Sequence, residues 1–117
     1  MTPLGDVQFE TIDNVVVARL QGEIDMSNAD DLGSAITARI STDAVALVLD
    51  LAAVDYLDSA GVHVLFELRE RLTRRGQGVR LVIGPGSPVA TTLEYAGVHR
   101  TLGASATVQD AISDLEE

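Results

Sequence analysis

Apolar and polar positions along the chain divide it into short alternating segments. Val7 and Phe9 alternate with Gln8 and Glu10, and Ile12 falls out of phase, which predicts a strand from Val7 to Ile12. Asp13-Asn14 is a turn signal. The β-branched run Val15 to Leu20 predicts the second strand of a hairpin. Gly22-Glu23-Ile24-Asp25 reads as a loop. Ser27 reads as the cap of a helix whose core stripe is Leu32, Ile36 and Ile40, spaced four apart. Val45 to Leu51 is almost entirely apolar and suits a central strand covered on both faces. Ala52 to Asp58 reads as a loop.

A second helix is predicted from about Ser59 to Arg75, with Val62, Leu65, Phe66 and Leu72 turned inward and Leu68 alongside. Glu67–Arg71 and Glu70–Arg74 are i,i+4 pairs in the favourable orientation, about 0.3–0.5 kcal/mol each. Gly76 is the expected residue just past the helix end. Val79 to Ile83 predicts a strand and Gly84-Pro85-Gly86 a turn. Ser87 and Pro88 read as the cap and first position of a third helix closed by Gly97. A short strand is expected near His99 to Leu102. A last helix opens at Thr107, with Asp110 as its capping-box-like partner. The order ββ-α-β-α-β-α-β-α predicts an α/β fold: a mixed sheet with an N-terminal antiparallel hairpin, parallel strands after it, and about four flanking helices.

Composition narrows the function classes. At 117 residues one domain, 1–117, is expected, with no internal repeat or linker. Aromatics are only 3% of the chain, so the core must be aliphatic. Eighteen acidic residues against eight arginines give a net charge of −10, which disfavours direct nucleic-acid binding and an anionic membrane surface. The same charge steers basic protein partners toward the chain. There is no cysteine, so thiol chemistry and disulfides are excluded. Met1 to Asp6 lacks the features of a signal peptide and no apolar run approaches a membrane span, so a cytoplasmic protein is expected.

The chemistry of interest lies at Tyr56-Leu57-Asp58-Ser59-Ala60-Gly61. A serine at a helix start can cap it, which is the bland reading. The same helix end tolerates a phosphate through unpaired amides and the helix dipole. Phosphorylation adds about −1.5 to −2 charges, and Asp55, Asp58 and a spatially adjacent Asp25 would oppose it. Such a balance suits a reversible mark.

The set Gly22-Glu23-Ile24-Asp25, Leu47-Val48-Leu49-Asp50-Leu51, Tyr56-Leu57-Asp58-Ser59-Ala60-Gly61-Val62 and Leu93-Glu94-Tyr95-Ala96-Gly97-Val98 resembles the STAS domain family, specifically its stand-alone anti-sigma factor antagonists. The resemblance runs over nearly the whole chain. It implies that Ser59 is the acceptor for an anti-sigma factor that is also an ATP-dependent serine kinase. It implies that the unphosphorylated form binds this kinase and frees a sigma factor, and that a phosphatase resets the phosphorylated form. Asp25, Asp58, Ser59, Ala60, Gly61 and His63 are the expected partner-binding residues. Ala60 stands where many members carry a second hydroxyl, and His63 where many have a small residue. A non-switching STAS subunit of a transporter, lipid-trafficking or stress-sensing complex is the alternative.

Other constellations are weaker. Asp58, Ser59, His63 and His99 invite a hydrolase triad, but the Gly-x-Ser-x-Gly elbow is missing. Gly76-Gln77-Gly78 and Gly84-Pro85-Gly86 lack the lysine of a phosphate loop. The carboxylates show no EF-hand spacing. Arg69, Arg71, Arg74 and Arg75 complement a helix C-terminus. No catalytic residue, cofactor or metal is expected, and a monomer is the default.

Overall fold

The computed structural model describes residues 6–115, apart from the side chain of His99. Most of the segment read for a leader therefore lies outside the described residues. β1 (Asp6–Ile12) and β2 (Val15–Ile24) form an antiparallel hairpin in which Ile12 faces Val15. Asp13 and Asn14 take φ of 50° and 66°. Their short polar side chains tolerate that region, and a two-residue turn of this hand matches the strand twist. The chain continues through α1 (Ala29–Arg39), β3 (Ala46–Leu57), α2 (Ser59–Arg74) and β4 (Gly78–Val82). It ends with α3 (Ala90–Tyr95), α4 (Val98–Leu102), β5 (Ala104–Ser105) and α5 (Val108–Leu115). The sheet order is β1-β2-β3-β4-β5, antiparallel at the first pair and parallel thereafter. The predicted mixed α/β sheet is therefore present.

Strand side chains alternate between two cores. Val16, Ala18, Leu20, Leu47, Leu49, Leu51 and Leu81 pack with Leu32 and Ile36 of α1, Leu65, Leu68 and Leu72 of α2, and Leu93, Val98 and Leu102 of the later helices. Val15, Val17, Ala46, Val48 and Val82 point to the other face, against Ala111, Val108, Ile112 and Leu115 around α5. Covering by helices on both sides explains the apolar run at the start of β3.

Several local expectations change. Gly22 to Ile24 continues β2, and Ala52 to Leu57 continues β3, where loops were expected. The cause is two register shifts. Arg19 and Gln21 partner Asp50 and Ala53, and Gly22 and Glu23 partner Val54 and Tyr56. Each shift adds one residue to β3, so burial recurs at Leu51, Val54 and Leu57 rather than at every second position. The strand pattern is thereby hidden.

The stripe of α2 is Gly61, Val64, Leu65, Leu68 and Leu72, with Val62 and Phe66 only half-buried. Glu67 pairs with His63 rather than with Arg71, whereas Glu70 and Arg74 do meet. The end of α2 carries the reciprocal closing bonds, Gln77 N–H to Leu72 O and Gly76 N–H to Thr73 O, with Gly76 at φ 73°. Ser87 accepts from the Val89 amide, and α3 begins only at Ala90, so Pro88 precedes the helix. The strand expected at His99–Leu102 is the short helix α4, because Val98 and Leu102 lie on one face and both are buried. Pairing moves on to Ala104 and Ser105. Thr107 caps α5 through the Asp110 amide, as expected.

Candidate functional site

The site forms where β2 and β3 end side by side. Ile24 is the partner of Leu57, and the Asp58 amide donates to the Ile24 carbonyl at 3.2 Å. The two extra residues of β3 carry the ladder to this level. The loop after β2 and the loop after β3 therefore leave the sheet together, both at the carboxyl ends of parallel strands.

Asp58 ties the two loops. It is the N-cap of α2, where Oδ1 accepts from the Gly61 amide at 3.1 Å. Its Oδ2 accepts from the Met26 amide, 32 residues earlier, also at 3.1 Å. The predicted cap residue, Ser59, is displaced from that role. Aspartate and serine are comparable caps, but only the Asp58 carboxylate has a second oxygen to accept from the Met26 amide as well. Ser59 becomes the first helical residue and is exposed. In an α-helix the amides of Ser59 and Ala60 have no carbonyl one turn back to bond.

The β2–α1 loop is similarly pinned. The Asp25 amide donates to Asn28 Oδ1 at 3.0 Å, and Asn28 Nδ2 donates to the Glu23 carbonyl at 2.9 Å. The Asn28 and Ala29 amides both return to the Asp25 carbonyl. The Ser27 amide and hydroxyl both donate to Asp25 Oδ1. The Ser27 hydroxyl and then its amide hold the Asp25 carboxyl below its ordinary value. Ser27 does not cap α1; Asn28 occupies the cap position without a side-chain bond to the helix.

Gly61 is buried, and its absent side chain is the reason α2 can start so close to the sheet. A Cβ there would lie 2.3 Å from Leu57 Cδ1 and 3.1 Å from Ile24 Cγ2. Ala60 is half-buried and His63 exposed. The imidazole Nε2 of His63 meets Glu67, one turn onward. Asp58 is engaged by two amides and His63 by Glu67, so this segment is not arranged as a nucleophile, base and orienting acid.

Residues 6–111 match the STAS domain. The chain belongs to the STAS domain family. Anti-sigma-F factor antagonist RsfB of Mycobacterium tuberculosis is 33% identical over 100 residues, covering 85% of this chain and 80% of that protein. The crystal structure of an anti-sigma factor antagonist from Mycobacterium paratuberculosis superposes with a TM-score of 0.87 at 28% identity over 100% of both chains. The anti-sigma factor antagonist SpoIIAA in its unphosphorylated form shares the fold, with a TM-score of 0.78, 20% identity, and coverage of 95% of this chain and 96% of that one.

Within this STAS domain, Asp25, Asp58, Ser59, Ala60, Gly61 and His63 were singled out from sequence, and the first five cluster at the ends of β2 and β3. His63 follows one turn along α2. Met26 was missed. It is 82% exposed at the tip of the β2–α1 loop. A lone methionine between Asp25 and Ser27-Asn28 in a polar turn was the available signal. Among the described residues no group of three or more histidines and carboxylates is placed to hold a metal, and no helix is long and apolar enough to cross a membrane.

Proposed function

We propose that this STAS domain is an anti-sigma factor antagonist, switched by phosphorylation of Ser59. The observation that carries the reading is the exposed Ser59 at the first position of α2, with its neighbour Asp58 already committed to backbone amides. The likeness to RsfB supports the choice of partner. The unphosphorylated form binds an anti-sigma factor that is an ATP-dependent serine kinase, and a sigma factor is freed. Asp25, Asp58, Ser59, Ala60 and His63 face that partner, with Gly61 holding the helix start in place. A serine phosphatase returns the modified form to the binding state. The domain acts in the cytoplasm as a monomer and does not itself bind nucleic acid or catalyse a reaction.

The physics is local. The Ser59 and Ala60 amides and the helix dipole stabilise a phosphate in water. Asp58 and Asp25 oppose it, a balance that suits a mark one enzyme adds and another removes. Buried against a partner without a compensating cation, the phosphate costs several kcal/mol. About 4 kcal/mol weakens binding roughly a thousandfold. Ala60 leaves Ser59 as the only aliphatic hydroxyl in the segment from Asp55 to Gly61.

The test is transfer of the γ-phosphate of ATP by a purified anti-sigma factor kinase from the same host. Wild type accepts phosphate and Ser59→Ala does not. Ser59→Asp binds the kinase far more weakly than wild type. Equal affinity of the two across a full titration overturns the switch.

A further inference from the structure

We infer that Met26 is the apolar anchor by which the anti-sigma factor recognises this chain, seated in an apolar socket rimmed by basic side chains. The inference rests on the antagonist reading and adds a residue and a partner chemistry to it. Three observations converge on it.

Met26 is 82% exposed, yet its backbone is held on every side. Its own amide bonds Asp58 Oδ2, the amides before and after it bond Asn28 Oδ1 and Asp25 Oδ1, and the next two return to the Asp25 carbonyl. A loop with five consecutive amides satisfied loses little backbone freedom on binding. The methionine side chain is thus presented at small entropic cost, and its unbranched thioether adapts to an irregular socket.

The carboxylate that fixes Met26 also caps the helix that begins with Ser59. Anchor and acceptor therefore form one rigid unit. A kinase that seats Met26 has Ser59 at a set position relative to its own catalytic groups.

The surroundings fix the charge of the rim. The segments 22–38 and 51–68, which build this end of the molecule, contain no arginine or lysine. They carry Asp25, Asp30, Asp31, Asp55 and Asp58. A complementary partner surface is basic opposite these carboxylates and around an apolar centre, with no cation facing the Ser59 hydroxyl, so a phosphate there stays unpaired and is repelled by Asp58.

The experiment measures Kd and phosphorylation kinetics for wild type, Met26→Ala, Met26→Leu and Ser59→Asp against the purified anti-sigma factor kinases of the host, one by one. Thermal melts of each variant serve as the folding control. Met26→Ala is expected to raise Kd about 10- to 100-fold, the loss of one large buried apolar side chain. It raises KM with kcat unchanged, because an anchor contributes equally to ground and transition states. Met26→Leu restores binding to near wild type. If Met26→Ala binds within twofold of wild type while Ser59→Asp is weakened, the anchor is refuted and the antagonist reading stands. If wild type binds none of the kinases, both fail. If Met26→Leu is as weak as Met26→Ala, or if Met26→Ala abolishes a concentration-dependent dimer instead, the partner socket is refuted.

Discussion

Replacing Asp58 with alanine tests the construction of the site most directly. The carboxylate makes two bonds at 3.1 Å, one to Gly61 and one to Met26, and alanine removes both. Loss of an N-cap aspartate costs about 1 kcal/mol, within a range of roughly 0.5–2. Loss of a charge-assisted bond to the Met26 amide costs about 1.5 kcal/mol. The two acceptor atoms serve different elements, so the effects should add to about 2–3 kcal/mol. Asparagine separates them. Its carbonyl is as good a cap as aspartate, but its amide group cannot accept from Met26. Asp58→Asn is therefore expected to cost about half as much as Asp58→Ala. Urea unfolding at equilibrium measures both, and with a slope of about 1.5 kcal/mol/M the alanine variant should lose roughly 1.3–2 M in its midpoint. Hydrogen exchange read residue by residue should show the Met26 amide unprotected in both variants and the Gly61 amide unprotected only with alanine. An alanine variant within 0.5 kcal/mol of wild type, with Met26 still protected, would refute the clamp.

Three further outcomes follow from the same geometry. Gly61→Ala forces Leu57 and Ile24 apart from their packed positions and should cost about 1–3 kcal/mol, read as a lowered melting temperature. The Asp25 carboxyl, held low by Ser27, contributes stability that is present above its unfolded pKa and lost as pH falls through its lower folded value. Ser27→Ala should raise the Asp25 pKa toward its ordinary value, as followed by carboxyl-carbon NMR titration; an unchanged midpoint refutes the assigned cause. His63→Ala should change stability by less than about 0.5 kcal/mol in thermal melts, because the pair with Glu67 is solvent-exposed, so a larger loss would show a structural role for His63.

Legibility from sequence followed the range of the forces involved. The hairpin turn at Asp13-Asn14, the stripe of α1, the closing glycine of α2 and the Thr107 cap are set by neighbours within about four residues. Each was readable for that reason. The upper halves of β2 and β3 were not, because the two extra residues in β3 have meaning only against the partner strand. The stripe of α2 was misplaced by part of a turn for a related reason. Gly61 contributes no apolar side chain to a periodicity count, yet it is buried against Leu57 and Ile24 at the strand ends. The segment His99 to Leu102, expected as a strand, is a helix because the four-residue spacing of Val98 and Leu102 places both on one buried face.

The candidate site divides in the same way. The order of residues alone located an acidic loop with one serine hydroxyl at the start of a helix, and placed it in a whole-chain pattern resembling a known family. Local chemistry could not say which of Asp58 and Ser59 caps that helix, since either side chain reaches a free amide. The cap went to Asp58 because its second oxygen also meets the Met26 amide, 32 residues away in sequence. That contact exists only because β2 and β3 run parallel and end at the same level. Ser59 is exposed, and Met26 is tied to the neighbouring Asp58, as consequences of a pairing between strands that no local window of the chain contains.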